Sequence, residues 1–386
     1  MKVYNNMHII NALIKIFILI YLPMYKTKRL LRLLNEYETS IYMTIYGREN
    51  QKILNDTFIY KPSILIVNGS FYVFDDSFAF SANTYYNLEI IWNYELTDCS
   101  YMFSGLNNIL TLNFNNFNFS KVTNMSHMFS NCEILTTIYF TSYNYNSKTN
   151  NVMDMSYLFY NCKALSDFYF YNIGFDTSSV TNMEYMYFNC YSINNFNLDS
   201  YQTSKVTNMR YMFYNCSNVN LNAISLNSFD TSSVTNMDSM FAYCYNLNQL
   251  NLGSFNTPSL LSMTNMFYSC SNLNNLDISN FDTSLVTNMT GLFSHCSSIS
   301  ALDLSNFNTS SVKYFDHMFS FCSGLIHLDL SSFNTSSAIS MKYMFHNCQS
   351  LTTYNIDHFD TSLVEDFSYM FSNNLFSLNN LDFIKF

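Results

Sequence analysis

Cysteine offers this chain its most reactive side chains, and the spacing is regular. Nine of the ten, Cys132, Cys162, Cys190, Cys216, Cys244, Cys270, Cys296, Cys322 and Cys348, recur every 26 to 30 residues. In a secreted chain, ten cysteines would suggest a disulfide framework. Here each of the nine closes a version of one phrase, best formed as N-M-x-x-M-F-x-x-C, at a position where a free thiol serves as a small hydrophobe. If the phrase is helical, neighbouring helices lie ~8–10 Å apart. A disulfide needs Cα atoms within ~7 Å. The spacing therefore predicts a buried thiol ladder in the core. Cys99 falls outside the column, and no C-x-x-C pair is present to begin a zinc site.

The second column with chemistry to offer is polar. It reads Asn113, Tyr139, Tyr169, Asn197, Ser225, Asn251, Asp277, Asp303, Asp329 and Asn355. Each member sits between apolar neighbours, so it points outward from a strand. The run Asn251, Asp277, Asp303, Asp329 and Asn355 is the candidate binding surface, suited to a cationic partner or Ca²⁺. The plainer reading is a solvated sheet face, since exposed like charges at strand spacing cost only ~1 kcal/mol or less. Catalytic sets are harder to find. His127, His295, His317, His327, His346 and His358 are read as sharing no repeat column, and Asp316-His317 has no third group to orient it. With seven glycines there is no phosphate loop, and no cofactor motif is present. Of the N-x-[ST] sequons, Asn55 and Asn68 are the best candidates on a secretory route.

These columns need elements to hold them, and the elements repeat. Eleven anchors recur: Met102, Met128, Leu158, Met186, Met212, Met240, Met266, Leu292, Met318, Met344 and Met370, most often 26 residues apart. A fixed period of this length marks a solenoid, in which each coil buries its apolar face only against its neighbours. Leu302-Asp303-Leu304 alternates as a short strand, and Asn308-Thr309-Ser310 suits a turn closed by side chains. Met125, Met128, Phe129 and Cys132 fall at i, i+3, i+4 and i+7, which predicts a short α-helix. Thr181 with Glu184 and Thr235 with Asp238 match its capping box. The expected fold is α/β: a leucine-rich-repeat-like solenoid of about eleven 26-residue coils, one short strand and one short helix each.

The wording LDLSNFNTSSV (302–312) and FDTSSVTNMDSMFAYCYNL (229–247) resembles the BspA-type leucine-rich-repeat surface proteins. It also looks like the repeat of mycoplasma-type lipoproteins. The resemblance spans about 98–386 and implies cell-surface display with protein or matrix binding. The chain differs in lacking a lipoprotein cysteine before Cys99 and a recognisable sorting signal.

The remainder divides by charge. Residues 1–61 hold nine Lys/Arg against four Asp/Glu, while 62–386 hold eight against twenty-three. An acidic body argues against nucleic-acid binding. Residues 1–34 read as a signal-peptide-like or membrane-associating segment. Its apolar run, 7–25, is open to three readings: a cleaved signal, a short anchor or a surface helix. Residues 35–97 are expected to form a β-rich cap, with Asn68-Gly69 as a hairpin turn, and 98–386 the solenoid. Ser377–Phe386 ends inside a strand-like run, so an uncapped last coil could pair with a second copy. Taken together, the sequence predicts a non-enzymatic surface or secreted protein that binds a protein or matrix ligand through its strand face. The alternative is an intracellular scaffold.

Overall fold

A computed structural model describes residues 39–48, 52–74, 78–140, 148–169, 175–193, 198–217 and 225–374. The segment 7–25 and the run Ser377–Phe386 lie outside the described residues, as does Asn197. No helix among the described residues is long and apolar enough to cross a membrane.

The chain enters through four strands, β1 (Thr39–Tyr46), β2 (Ile64–Val67), β3 (Ser70–Val73) and β4 (Tyr85–Trp92). Alternation in β1 puts Ile41, Met43 and Ile45 in the core. Asn68 and Gly69 both take positive φ (47° and 87°), as a two-residue hairpin between β2 and β3 requires. The repeating part contributes β5 (Ile109–Asn116), β6 (Thr137–Tyr139) and β7 (Asp167–Tyr169). It continues with β8 (Gln249–Asn251), β9 (Asn275–Asp277), β10 (Ala301–Leu302), β11 (His327–Leu328) and β12 (Thr353–Tyr354).

One seven-stranded sheet joins the two parts, in the order β3-β2-β4-β1-β5-β6-β7. β1 pairs with β5 antiparallel, and from β5 onward the pairing is parallel. The entry strands thus cover what would otherwise be the open edge of the first coil. Further along, β8 pairs with β9, and β10 with β11 and β12, all parallel.

The other side of each coil corrects the sequence expectation. No helix is found among the described residues, so the helix expected in each coil, and the α/β class built on it, are replaced by strands and turns. The cause is a left-handed residue at every fourth position. In the second coil His127 and Asn131 have φ of 57° and 59°, and in the third Tyr157 and Asn161 have 56° and 58°. An α-helix needs φ near −63° throughout.

The hydrogen bonds alternate accordingly. Met128, Ser130 and Cys132 donate N–H three residues back, to Met125, His127 and Phe129. Met125, His127, Phe129 and Asn131 donate instead to the next coil, to the carbonyls of Asp154, Ser156, Leu158 and Tyr160 (2.7–3.0 Å). A positive φ at the third residue of a four-residue turn is the type II geometry. Each coil is therefore a chain of such turns, welded to its neighbour at every second residue. The expected capping boxes are absent too. Thr181 and Thr235 donate their hydroxyls to the preceding coil, at Met153 and Thr207. It is Asn182 and Asn236 that accept the Glu184 and Asp238 N–H groups.

Because these inter-coil N–H groups all point toward the C-terminus, the first coil has carbonyls with no preceding coil to serve them. The entry region supplies the donors. Asn55 gives its backbone N–H to Met102 O (3.0 Å) and its side-chain amide to Ser104 O (2.7 Å). Asn55 also accepts the Thr57 N–H, so this sequon asparagine is part of the cap.

Three internal columns fill the coils. The residue after each anchor stacks with its equivalents from Phe103 to Phe345 and on to Phe371, ring centroids 5.4–6.0 Å apart. The column breaks type once, at Tyr187. Its hydroxyl pairs with that of Tyr201, a second buried tyrosine where neighbouring coils have Phe175 and Phe229. Two buried hydroxyls thereby satisfy each other, as burial requires. The second column is threonine. Thr257 is buried, accepts the Asp282 N–H and donates to the Asp282 carbonyl, both at 2.9 Å. Thr177 and Thr309 clip their next coils in the same way. The third column is cysteine.

Candidate functional site

All ten cysteines are free and buried. Each member of the nine-residue column donates its thiol to a carbonyl of the preceding coil. Cys132 reaches Phe103 O at 3.0 Å, Cys244 reaches Phe213 O at 3.2 Å and Cys348 reaches Phe319 O at 3.0 Å. Burial pushes the thiols up, to about 12 for Cys132, Cys244 and Cys348. Such groups hold almost no thiolate near neutrality and are poor nucleophiles or metal ligands. Among the described residues no three His, Cys, Asp or Glu side chains gather to hold a metal ion.

The strand side carries the polar column. Asn251, Asp303, Asp329 and Asn355 are exposed and Asp277 is half-buried. Their side chains are already engaged locally. Asn251, Asp277, Asp303 and Asp329 each accept the backbone N–H two residues on, from Gly253, Ser279, Ser305 and Ser331. This side-chain turn ends each short strand, which is why Asp and Asn recur there. Asn355 donates across to Asp329 (3.2 Å). The Ser305 hydroxyl and N–H hold the Asp303 carboxyl below its ordinary value, and the Ser331 N–H and hydroxyl do the same for Asp329. The column is thus a fixed row of oxygens, in which the Asp303 and Asp329 carboxylates stay ionised further into acid than ordinary aspartates.

The turn side carries a feature that the sequence reading missed. The residue before each anchor has positive φ, yet several of these residues are large rings. Tyr101, His127, Tyr157, Tyr185 and Tyr211 stack in an unbroken row, centroids 4.4–4.5 Å apart and planes within 14°. The next three positions, Ser239, Asn265 and Gly291, carry no ring. His317, Tyr343 and Tyr369 resume the stack at 4.8 Å. His127 and His317 therefore do share a repeat column, contrary to the sequence reading. Burial lowers the pKa of both. A second row three residues on, Tyr160, Phe188 and Tyr214, lies beside the first at 4.5–4.8 Å spacing. Arg210 lies over the Tyr211 ring at 4.8 Å and 3.5 Å from Glu184. The pattern was open to discovery in the sequence: rings at the x before the anchor in the first five coils, then three coils of Ser, Asn and Gly, then rings again.

The period and the N-M-x-x-M-F-x-x-C phrase of these coils match a known family model, described as "Mycoplasma protein of unknown function, DUF285". Overlapping matches cover residues 72–167, 140–249, 194–301, 218–325 and 293–382. The chain belongs to this family. The DUF285 matches begin within β3 and so include part of the entry sheet as well as the coils. Comparison with curated proteins gives no significant match. Among solved structures, a leucine-rich cell surface protein from Faecalibacterium prausnitzii A2-165 is similar at 17% identity. That match covers 69% of this chain and 83% of the other, with a TM-score of 0.28. The crystal structure of the TLR13–ssRNA13 complex matches at 11% identity over 69% of this chain and 44% of that one, with a TM-score of 0.23. At these scores neither likeness bears on what the DUF285 coils bind.

Proposed function

We propose that this DUF285 protein is a non-enzymatic repeat protein of the BspA-like surface type, displayed on or secreted from the cell. In this reading its strand side binds a protein or matrix ligand. The observation that carries the reading is the strand-side column of Asn251, Asp277, Asp303, Asp329 and Asn355. Its oxygens are held at coil spacing by turns within the chain, so little side-chain freedom is lost when a partner docks. An ionised row of this kind favours basic segments of a partner. The core supports a structural role for the remaining chemistry-bearing side chains, since the thiols are buried and their pKa values raised.

The test has two parts. A tag inserted near Asn83 should be removed by protease from intact cells while a cytosolic marker survives. Purified chain should bind immobilised matrix proteins or basic peptides, and Asp303→Asn with Asp329→Asn should weaken that binding about tenfold at low salt. A protected tag on intact cells contradicts surface display. Binding unchanged by the two substitutions contradicts the strand-side assignment.

One observation favours a second reading. Ten free cysteines with no disulfide suit a reducing compartment, as for an intracellular interaction scaffold. The same protease experiment separates the two.

A further inference from the structure

Histidine is the residue that the proposed function leaves unused, and three of the seven meet on the turn side of three consecutive coils. His295 belongs to the eighth coil (anchor Leu292), His317 to the ninth (Met318) and His346 to the tenth (Met344). They stand in three different columns, so no single repeat position brings them together. Packing between coils does. His295 stacks on Phe321 at 4.3 Å, Phe321 meets His346 edge to face at 4.9 Å, His346 meets Tyr343 at 5.1 Å, and Tyr343 stacks on His317 at 4.8 Å. Five rings thus form one line in which every second ring is an imidazole.

The proton positions follow from the hydrogen bonds at its centre. The Ser372 hydroxyl donates to the Tyr369 carbonyl (2.9 Å), so its oxygen accepts from His346 Nδ1–H (2.6 Å). Nε2 is left to take the second proton. The other titratable neighbours are Tyr268 from the seventh coil, Asp316 in the ninth, Lys342 in the tenth, and Tyr369 and Asp366 in the eleventh. The Asp316 carboxylate already accepts the Ser340 hydroxyl and the Lys342 N–H, and Asp366 lies 3.9 Å from the Lys342 ammonium. With all three imidazoles charged, four cations would share this patch with two carboxylates. Cation–π attraction to Phe321 and Tyr343 offsets part of the repulsion. Burial, and after it the neighbouring imidazoles, still hold His295 below the ordinary histidine value. Burial is also the main cause for His317, where Asp316 pulls the other way. Ser320 adds a weakness of its own. It stands one coil before His346 in the same column, and its buried hydroxyl has no hydrogen-bond partner among the described residues, which is costly.

We propose that this line of rings makes the eighth to tenth coils an acid-sensitive segment, packed while the imidazoles are neutral and loosened when they are charged. The sign follows from linkage. His295 and His317 have folded pKa values below their unfolded ones. Their stabilising contribution is therefore full above the unfolded value of ~6.5 and is lost as pH falls below it. Each coil of a solenoid is held only by its neighbours, so the loss stays local. The first coils differ: His127 stacks between Tyr101 and Tyr157, with no second imidazole in that row. Asp303 and Asp329 lie in the chain between the three acid-sensitive turn segments, so acid should also weaken a ligand held on the strand side. That consequence rests on the function proposed above, whereas the loosening itself does not.

Backbone amide exchange of the full chain tests this, at about pH 7.5 and about pH 5.5, corrected for the intrinsic rate at each pH. The reporters are N–H groups that cross between coils. Phe293, His295, Phe319 and Phe321 donate to Met318, Ser320, Met344 and His346, while Tyr185 and Tyr187 donate to Arg210 and Met212. In acid, protection of the first set should fall about tenfold more than that of the second, and should return when the pH is restored. The triple variant His295→Asn, His317→Tyr and His346→Ser gives each position a residue type that its own column carries elsewhere, at Asn131, Tyr157 and Ser130. It should fold, and the excess fall should disappear. Equal falls in the two sets overturn the proposal. So does an excess fall that persists in the triple variant, or one that does not reverse. Imidazole titration of the unaltered chain by NMR gives a second readout that needs no variant. His295 and His317 should titrate below the ordinary histidine value, and ordinary midpoints for both overturn the proposal as well.

Discussion

The two sides of each coil achieve order by different means. On the strand side the parallel strands β8 to β12 are two or three residues long. Their outward side chains differ from coil to coil. On the turn side one uninterrupted series of bridges runs from Asp98 through Asn124, Asp154 and each later coil to Asp366. There every second N–H crosses to the next coil, the rings stack in line, and the thiols and threonine hydroxyls reach neighbouring carbonyls. The difference teaches that this repeat is held mainly by its turns, and that the sheet is the freer surface. Substitutions should be costly on the turn side and cheap on the strand side, and that contrast can be broken.

The largest effect is expected at Met240, which is fully buried between coils on the turn side. Met240→Asp buries an unpaired charge and should cost ~4 kcal/mol or more, whereas Asn251→Asp on the strand side should stay within ~0.5 kcal/mol. Denaturant midpoints of the two variants check this, and equal midpoints would abolish the contrast. Next comes Thr257→Val, which removes a hydroxyl that serves both polar groups of Asp282. Two half-buried backbone groups lose their partner, so a loss of ~1–3 kcal/mol is expected in the same assay. A loss below ~0.5 kcal/mol would show that the clip is incidental.

The buried tyrosine pair sharpens the picture of the core. Tyr187→Phe or Tyr201→Phe alone strands one hydroxyl and should cost ~1–2 kcal/mol. The double variant should cost less than the sum of the two, because both hydroxyls leave together, and a double-mutant cycle reads the coupling. Strict additivity would mean that the hydroxyls do not depend on each other.

The smallest effect belongs to the strand-side carboxylates. Asp303 and Asp329 have folded pKa values below their unfolded ones, the first held chiefly by the Ser305 hydroxyl and the second by the Ser331 N–H. Their stabilising contribution is complete above the unfolded value of ~3.9 and is lost as pH falls through the lower folded values. Carboxyl titration followed by NMR should show both midpoints below the ordinary aspartate value. Both groups face solvent, so acid should change stability little through them.

Much of this was legible in the sequence. The 26-residue period identified a repeat, and Leu302-Asp303-Leu304 shows its alternation directly, with Asp303 exposed and Leu304 buried. The spacing of Met125, Met128, Phe129 and Cys132 correctly indicates a common inward face, since all four are fully buried. It does not reveal the backbone that produces that face. Four-residue turns and a 3.6-residue helix place i, i+3, i+4 and i+7 on the same side, so the apolar pattern cannot separate them. The deciding signal lay in the residues between. Asn131, Asn161, Asn189, Asn215 and Asn347 stand immediately before the cysteine in five of the nine coils, and all have φ of 54–59°. Asparagine recurring in one fixed column is a left-handed signature and a poor helix choice. The aromatic row escaped notice for a related reason: it occupies the other left-handed column, where a ring is the least expected residue.

The central claim is that the N-M-x-x-M-F-x-x-C segment is a ladder of turns with left-handed residues. Ser269 tests it most directly, with φ of 60° and a half-buried side chain. Denaturation midpoints of Ser269→Gly and Ser269→Ala should be compared in the full chain. In a left-handed position Gly should be the more stable by ~1 kcal/mol, because only Ala carries the Cβ penalty. In a helix the order reverses, and Ala should win by a similar ~1 kcal/mol. Gly above Ala would support the turn ladder. Ala above Gly would contradict it and restore the helix.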